Sequence, residues 1–311
     1  MRLRIVAVAL LLTGCASASP SLAPSVAPSA EGPSPTEVSS PTPRPSPAPI
    51  PVDEEMLAKR FTVLVAGADT SAVRRARGEV DENTDALMVV SVSADKSQIA
   101  ILSLPRDTVD IPMPDGSIYR GKVNGIAQRF GNDVLRGAMA SLLGVPIDRY
   151  IRIDMDDFAW MVDAVGGIDV EVKTRLADPQ VQLFLDPGPA HLNGAQALSF
   201  SRTRVDSDYG RAARQQQVIV ALARRWLDPL PGTLIGVVRL LDSLETDIDL
   251  DELTTLFEIG RRSVTAEINA IVLQPTRFSL FVGFEPNSTR GWVMIPDVPE
   301  IQAYARSVLS D

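Results

Sequence analysis

The sequence is short of thiols, imidazoles and positive charge, and each shortage removes a class of function. One cysteine, Cys15, rules out an intramolecular disulfide or a cysteine metal cluster. One histidine, His191, leaves oxygen atoms as the ligands available, so a bound metal would be a hard cation such as Mg²⁺. Lysine and arginine number 30 against 39 acidic residues, a net charge of −9, and that balance argues against a nucleic-acid partner, which asks for a basic face. The first apolar run, residues 5–12, is too short to cross a bilayer comfortably.

That run nevertheless belongs to a pattern. Met1 to Arg4 supply a basic start, residues 5–12 an apolar stretch and Thr13-Gly14 small residues, as in an export signal. Export is a second argument against nucleic acid. Leu12-Thr13-Gly14-Cys15 resembles the lipobox of bacterial lipoproteins, in which the signal is cut before the cysteine and the cysteine is acylated. The other reading is a plain signal or anchor helix with an incidental cysteine. Residues 16–52 are almost all Ser, Pro, Ala and Thr, which bury too little apolar surface to fold and run as an extended tether. The expected division is signal and lipobox over 1–15, tether over 16–52 and a single folded domain over 53–311, with the membrane reached through a lipid anchor at Cys15.

Within that domain, residues 61–67 are rich in β-branched side chains and closed by glycine, which reads as a buried strand. Asp69 falls just past its end, where α/β folds place ligands, although it equally suits a turn cap. Residues 71–83 show no apolar period, hold Arg74, Arg75 and Arg77 beside Glu79, Asp81 and Glu82, and read as a loop. Asp85 opens a second strand, and a turn over 94–97 leads into a third over 98–104, forming a hairpin. Asp69 and Asp85 then sit at neighbouring strand ends, and two like charges held close want a cation. Arg106 follows Pro105 at the same sheet edge, either as an anion ligand or as a surface arginine paired with Asp107 or Asp110. Lys122, alone in sequence, reads as a surface lysine.

Further along, a helix over 133–143, a strand over 149–154, a helix over 156–165 and a strand over 168–172 add a strand-helix-strand unit to the first three strands. The fold class expected is α/β, a mixed central sheet flanked by helices on both faces. Residues 175–188 read as a loop whose Val181, Leu183, Phe184 and Leu185 either pack on the sheet or line a groove for something greasy. His191, beside a short helix over 195–200, reads as a capping or packing residue. Helices over 231–243, 250–262 and 298–309 and strands over 268–273 and 292–295 read as scaffold.

The densest feature is Ser201–Gln217, which packs Arg202, Arg204, Arg211 and Arg214 into an acidic chain. Arg202 and Arg204 share a face of an extended segment, while Arg211, Arg214 and Gln215 share a face of a helix. Asp208 sits at the expected N-cap of that helix, ahead of Ile219, Leu222, Ala223 and Trp226 at helical spacing. Strand end, turn and helix start make a phosphate site, or else the arginines pair with Asp206 and Asp208.

From Phe61 onward the chain resembles the LytR-CpsA-Psr family of cell-wall glycopolymer ligases. The motifs, in order, are Leu64 to Asp69, Thr84-Asp85, Leu102 to Thr108, Lys122-Val123-Asn124, Val165 to Val170, His191 to Leu198 and Arg202 to Gln217. The resemblance implies transfer of a glycan from a polyprenyl-pyrophosphate lipid to peptidoglycan with Mg²⁺, or Mn²⁺ in its place, outside the cytoplasmic membrane. It implies Asp69 and Asp85 as metal ligands. It also implies Arg106, Lys122, Arg202, Arg204, Arg211, Arg214 and a glutamine of 215–217, Gln215 or Gln216, as pyrophosphate ligands, with Asp69, Asp85, Arg106, Arg202 and Arg204 closest to the chemistry. Asp107, Asp206 and Asp208 are the candidate general bases. One position departs: two residues before Asp85, where the family usually has an arginine, stands Asn83. Either Arg74, Arg75 or Arg77 replaces that charge, or the site is altered. The competing reading is a non-catalytic lipoprotein that binds anionic or lipid-linked glycans, and a third is a polyprenyl pyrophosphatase.

Overall fold

Strand β1 (Phe61–Ala68) alternates buried and half-buried positions, so its two faces feed two different layers. In the computed structural model, which describes residues 51–79, 82–227 and 244–309, β1 lies near the middle of a six-stranded sheet. The expected export signal with Cys15, the tether up to residue 50 and the helix expected over 231–243 lie outside those residues. β1 pairs antiparallel with β2 (Thr84–Val92), which turns back into β3 (Gln98–Ser103). On β1's other side β6 (Arg149–Ile153) runs parallel, and beyond β3 so does β12 (Glu267–Val272). β11 (Glu245–Thr246) closes the far edge antiparallel to β6. The sheet is thus mixed.

Leu64 and Ala66 of β1, with Leu87 and Val89 of β2, face α4 (Asn132–Leu143) and α9 (Val298–Leu309), whose Leu135, Met139, Leu142, Ile301 and Ala305 complete that core. Val65 and Ile151 face the other way. There Met161 and Val162 of α5 (Met155–Ala164), Phe200 of α6 (Gly194–Arg202) and Val218 and Leu222 of α7 (Asp208–Leu227) pack against them. Helices therefore flank both faces. Gly144, at φ 66°, takes the left-handed position that ends α4. Asp154 caps α5 through the amides of Asp156 and Asp157, both at 2.9 Å. A capping box of Asn193 and Gln196 starts α6. No helix among the described residues is long and apolar enough to cross a membrane.

The strand-helix-strand unit departs from expectation in its last part. β6 joins the main sheet, but β7 (Ile168–Val172) leaves it and pairs antiparallel with β10 (Gly188–Leu192). Gly166 and Gly167, at φ 77° and 92°, swing the chain off the sheet between α5 and β7. Residues 71–83 contain a helix, α2 (Ala72–Ala76), started by Ser71, whose Oγ accepts from the Arg74 amide at 3.2 Å. It buries no residue, which is why no apolar period announces it. Residues 175–188 fold into a small hairpin, β8 (Leu176–Asp178) with β9 (Leu183–Leu185); Leu183 is buried and Phe184 points outward. The stretch before α7 is the end of a helix, α6, and not of a strand. Ser207, whose Oγ accepts from the Gly210 amide at 2.9 Å, caps α7, and Asp208 is its first helical residue. Strands without a sequence forecast include β10, β11 and β13 (Ser279–Phe284), the last paired with β14 (Trp292–Pro296).

Candidate active site

The antiparallel pairing of β1 and β2 brings the end of one beside the start of the other. Ala68 pairs with Thr84, and the Asp69 amide donates to the Asn83 carbonyl at 2.8 Å. Asp69 and Asp85 are thereby held at one sheet edge, as their positions at strand ends require. Gly67 allows this: a Cβ there would come within 2.9 Å of the Ala86 Cβ. Three buried oxygens at this edge have no protein partner, namely Asp85 Oδ1 and the hydroxyls of Thr70 and Thr84. Thr84 belongs to the Thr84-Asp85 motif, whereas nothing in the sequence singles out Thr70.

Cations converge on both carboxylates. Arg202, the last residue of α6, reaches Asp69 Oδ1 at 3.6 Å, and Arg74 of α2 reaches Oδ2 at 2.9 Å. Asp85 Oδ2 receives Arg106, Arg204 at 3.4 Å and Arg211 at 3.8 Å. Arg211 is 4% exposed and also meets Asp208 at 3.1 Å. Burial lowers its pKa against the pull of Asp208, yet a guanidinium stays charged at any working pH. Lys122 pairs with Asp107 at 2.6 Å, and Asp107 in turn faces Arg106 at 3.7 Å, so Lys122 is joined to the site through that acid. The two aspartates are thus already neutralised by arginines, and the edge is cationic. Of the three arginines that could offset Asn83, Arg74 is the one on Asp69, whereas Arg75 pairs with Asp154 at 2.6 Å.

No group of three or more carboxylate, imidazole or thiolate ligands exists among the described residues. The donor set still suits Mg²⁺, which is held in phosphate sites by one or two carboxylates plus the phosphates themselves. Asp85 Oδ1 is buried without a partner and Asp69 Oδ1 is only loosely held, so each aspartate has an oxygen to offer.

Two predicted ligands lie elsewhere. Arg214 spends its guanidinium on the end of α6 and the turn after it: Nε donates to Phe200 O at 3.0 Å, Nη2 to Thr203 O at 2.5 Å and Nη1 to Asp206 at 2.8 Å. Gln216 is buried and bonds Ser103 Oγ at 2.9 Å and Ile271 O at 2.7 Å, tying α7 to β3 and β12. Gln215 remains at the site, lining the cavity and donating to Ser201 O at 3.1 Å. Helix geometry explains the split. Arg214 and Gln215 are about 100° apart around the axis and flank Arg211 on opposite sides. His191 lies outside the site on β10, bonding Asp169 at 2.7 Å and Gly166 O at 3.0 Å.

A cavity of about 280 Å³ adjoins this edge. Asp69, Asp85, Arg202, Arg204, Arg211 and Gln215 line it, and so do Met88, Phe158, Val181, Leu198, Val218 and Ile219. Helical spacing counts Phe158 and Ile219 as core, but both face this space. Such a pocket suits an amphiphile with a multiply charged anionic head.

An α/β domain with paired aspartates and converging arginines on a cavity of mixed polar and apolar lining is the class that fold and site define. The chain belongs to the LytR_cpsA_psr family, whose model matches residues 37–289. It is 28% identical over 251 residues to the polyisoprenyl-teichoic acid–peptidoglycan teichoic acid transferase TagV of Bacillus subtilis, covering 76% of this chain and 63% of that one. It is 31% identical over 225 residues to TagU of Enterococcus faecalis, a transferase of the same name, covering 70% and 71%. The crystal structure of B. subtilis TagV superposes with a TM-score of 0.63 at 26% identity, over 81% of this chain and 98% of that one. The chain spans slightly under two-thirds of full-length TagV and about half of several other curated relatives.

Proposed function

We propose that this chain is a divalent-metal-dependent phosphotransferase that moves a glycopolymer from a polyprenyl-pyrophosphate carrier to a hydroxyl of peptidoglycan. The observation that carries the reading is one cavity lined both by arginines and aspartates and by apolar side chains. A pyrophosphate lipid joins the same two kinds of surface in one molecule. Family membership, and relatives named as teichoic acid transferases, support the direction of transfer.

Arg202, Arg204 and Arg211 bind and orient the pyrophosphate, with Arg106 and Lys122 extending the cationic edge. Asp69 and Asp85 would hold the cation, and Mg²⁺ or Mn²⁺ when bound supplies further positive charge against the phosphate oxygens. The acceptor hydroxyl oxygen bonds to the phosphorus attached to the sugar. The bond from that phosphorus to the bridging oxygen breaks, and polyprenyl monophosphate leaves with that oxygen. Charge grows on the leaving phosphate as the bond stretches, so fixed guanidinium groups stabilise the transition state more than the ground state. The hydroxyl proton passes to a carboxylate. Asp107, Asp206 and Asp208 are the candidates, each paired with a cation: Lys122, Arg214 and Arg211 respectively.

Acylation at Cys15 and the tether over 16–52 would hold the domain at the outer face of the cytoplasmic membrane, beside donor and acceptor. The direct test incubates the purified chain with glycosylated polyprenyl pyrophosphate and Mg²⁺ and follows polyprenyl monophosphate. Asp85→Ala is expected to lower its release by about 100-fold or more, the scale of losing an electrostatic catalytic group. Tight donor binding without turnover in the unsubstituted chain would instead identify a binding protein. Release that no peptidoglycan acceptor diverts would identify a pyrophosphatase.

A further inference from the structure

Asp69 and Asp85 are presented in the same way, by different means. In each, Oδ2 is fastened by arginine while Oδ1 is left open. For Asp85 the fasteners are Arg106, Arg204 and Arg211, and Oδ1 is buried without a partner. For Asp69 the fastener is Arg74, whose NH1 meets Oδ2 at 2.9 Å and donates to the Asp69 carbonyl at 2.5 Å, while Oδ1 meets Arg202 only at 3.6 Å. One nitrogen thus clamps side chain and main chain of the same residue. This holds the residue at two points and leaves Oδ1 the less tightly paired oxygen.

Arg74 is itself held. Its Nε donates to Glu79 at 2.6 Å, and its helix α2 is pinned to the start of α5 twice, by Arg75 on Asp154 at 2.6 Å and by the Ala72 amide on Asp156 at 2.6 Å. A guanidinium with a braced stem orients a neighbour at less entropic cost than a free lysine.

We propose that Arg74 is the positioning residue of Asp69, fastening Oδ2 so that Oδ1 is aimed at a divalent cation. The inference rests on the metal-dependent reading above. Outer-sphere partners that orient a ligand typically carry a 10- to 100-fold share of metal affinity.

Mn²⁺ binding to the full chain, read by electron paramagnetic resonance, tests it without turnover. Arg74→Gln is expected to weaken Mn²⁺ about tenfold with unchanged circular dichroism. Arg74→Lys, which keeps the charge but not the fork, should recover part of the loss. Arg75→Gln, which removes one of the two pins of α2 and leaves Arg74 in place, should lose less than Arg74→Gln. Equal affinity in Arg74→Gln, tighter binding there, or an equal loss in Arg75→Gln would each overturn the role while leaving the metal reading intact. Absence of Mn²⁺ binding in the unsubstituted chain would remove the metal reading and this role together.

Discussion

Asp85 shows how one residue can serve two neighbours: its Oδ2 gathers three arginines and its Oδ1 is buried and open. The chain's single histidine does the opposite and spends both ring nitrogens on the scaffold. His191 bonds Asp169 and the Gly166 carbonyl, which braces the turn that takes β7 off the main sheet. The hydrogen bond to Asp169, then the one to that carbonyl, raise its pKa above the usual 6.5. A raised folded pKa means the stabilisation is complete below the unfolded value, about 6.5, and is lost as pH rises through the folded value. As the only imidazole, it gives a single pair of carbon-bound ring-proton signals in nuclear magnetic resonance. Its midpoint should lie above 6.5 and fall back in Asp169→Asn; a midpoint at or below 6.5 would show that the pair is not formed.

Elements, rather than residues, explain what was legible in the sequence. Asp69, Asp85, Arg202, Arg204 and Arg211 could be brought together because strand ends and helix starts fix where such residues go. Arg214 could not be excluded, because spacing along a helix gives a face and not what that face meets. It meets the turn between α6 and α7. Arg214→Ala is therefore expected to cost about 3 kcal/mol of stability, the scale of breaking a buried charged network. Arg211→Ala should mainly weaken pyrophosphate affinity. Denaturant unfolding beside donor binding separates the two, and a stable Arg214→Ala with lost affinity would return that arginine to the site. Helix α2 escaped notice because it buries nothing, and β11 because two residues carry no readable alternation. The apolar lining of the cavity escaped because Phe158 and Ile219 fit a helical core stripe equally well, and only the packing of α5, α6 and α7 on the sheet leaves a space between them.

At the scale of the folded domain, a mixed sheet separates two apolar cores and brings Asp69 and Asp85 to strand ends where arginines from α2, α6 and α7 meet them. The long N-terminal segment matters to this arrangement only if it brings that site to a membrane surface. Mass spectrometry of the mature protein should find an acylated Cys15, and Cys15→Ala should release the protein from membranes; an unmodified cysteine would leave the tether without an anchor. The decisive measurement is transfer itself. Labelled glycan on a polyprenyl-pyrophosphate donor is incubated with peptidoglycan sacculi, Mg²⁺ and the chain, with Asp85→Ala in parallel. The expected result is label joined to the sacculus through a phosphodiester, at least about 100-fold less in Asp85→Ala; donor bound tightly with no label reaching the sacculus would contradict the assignment.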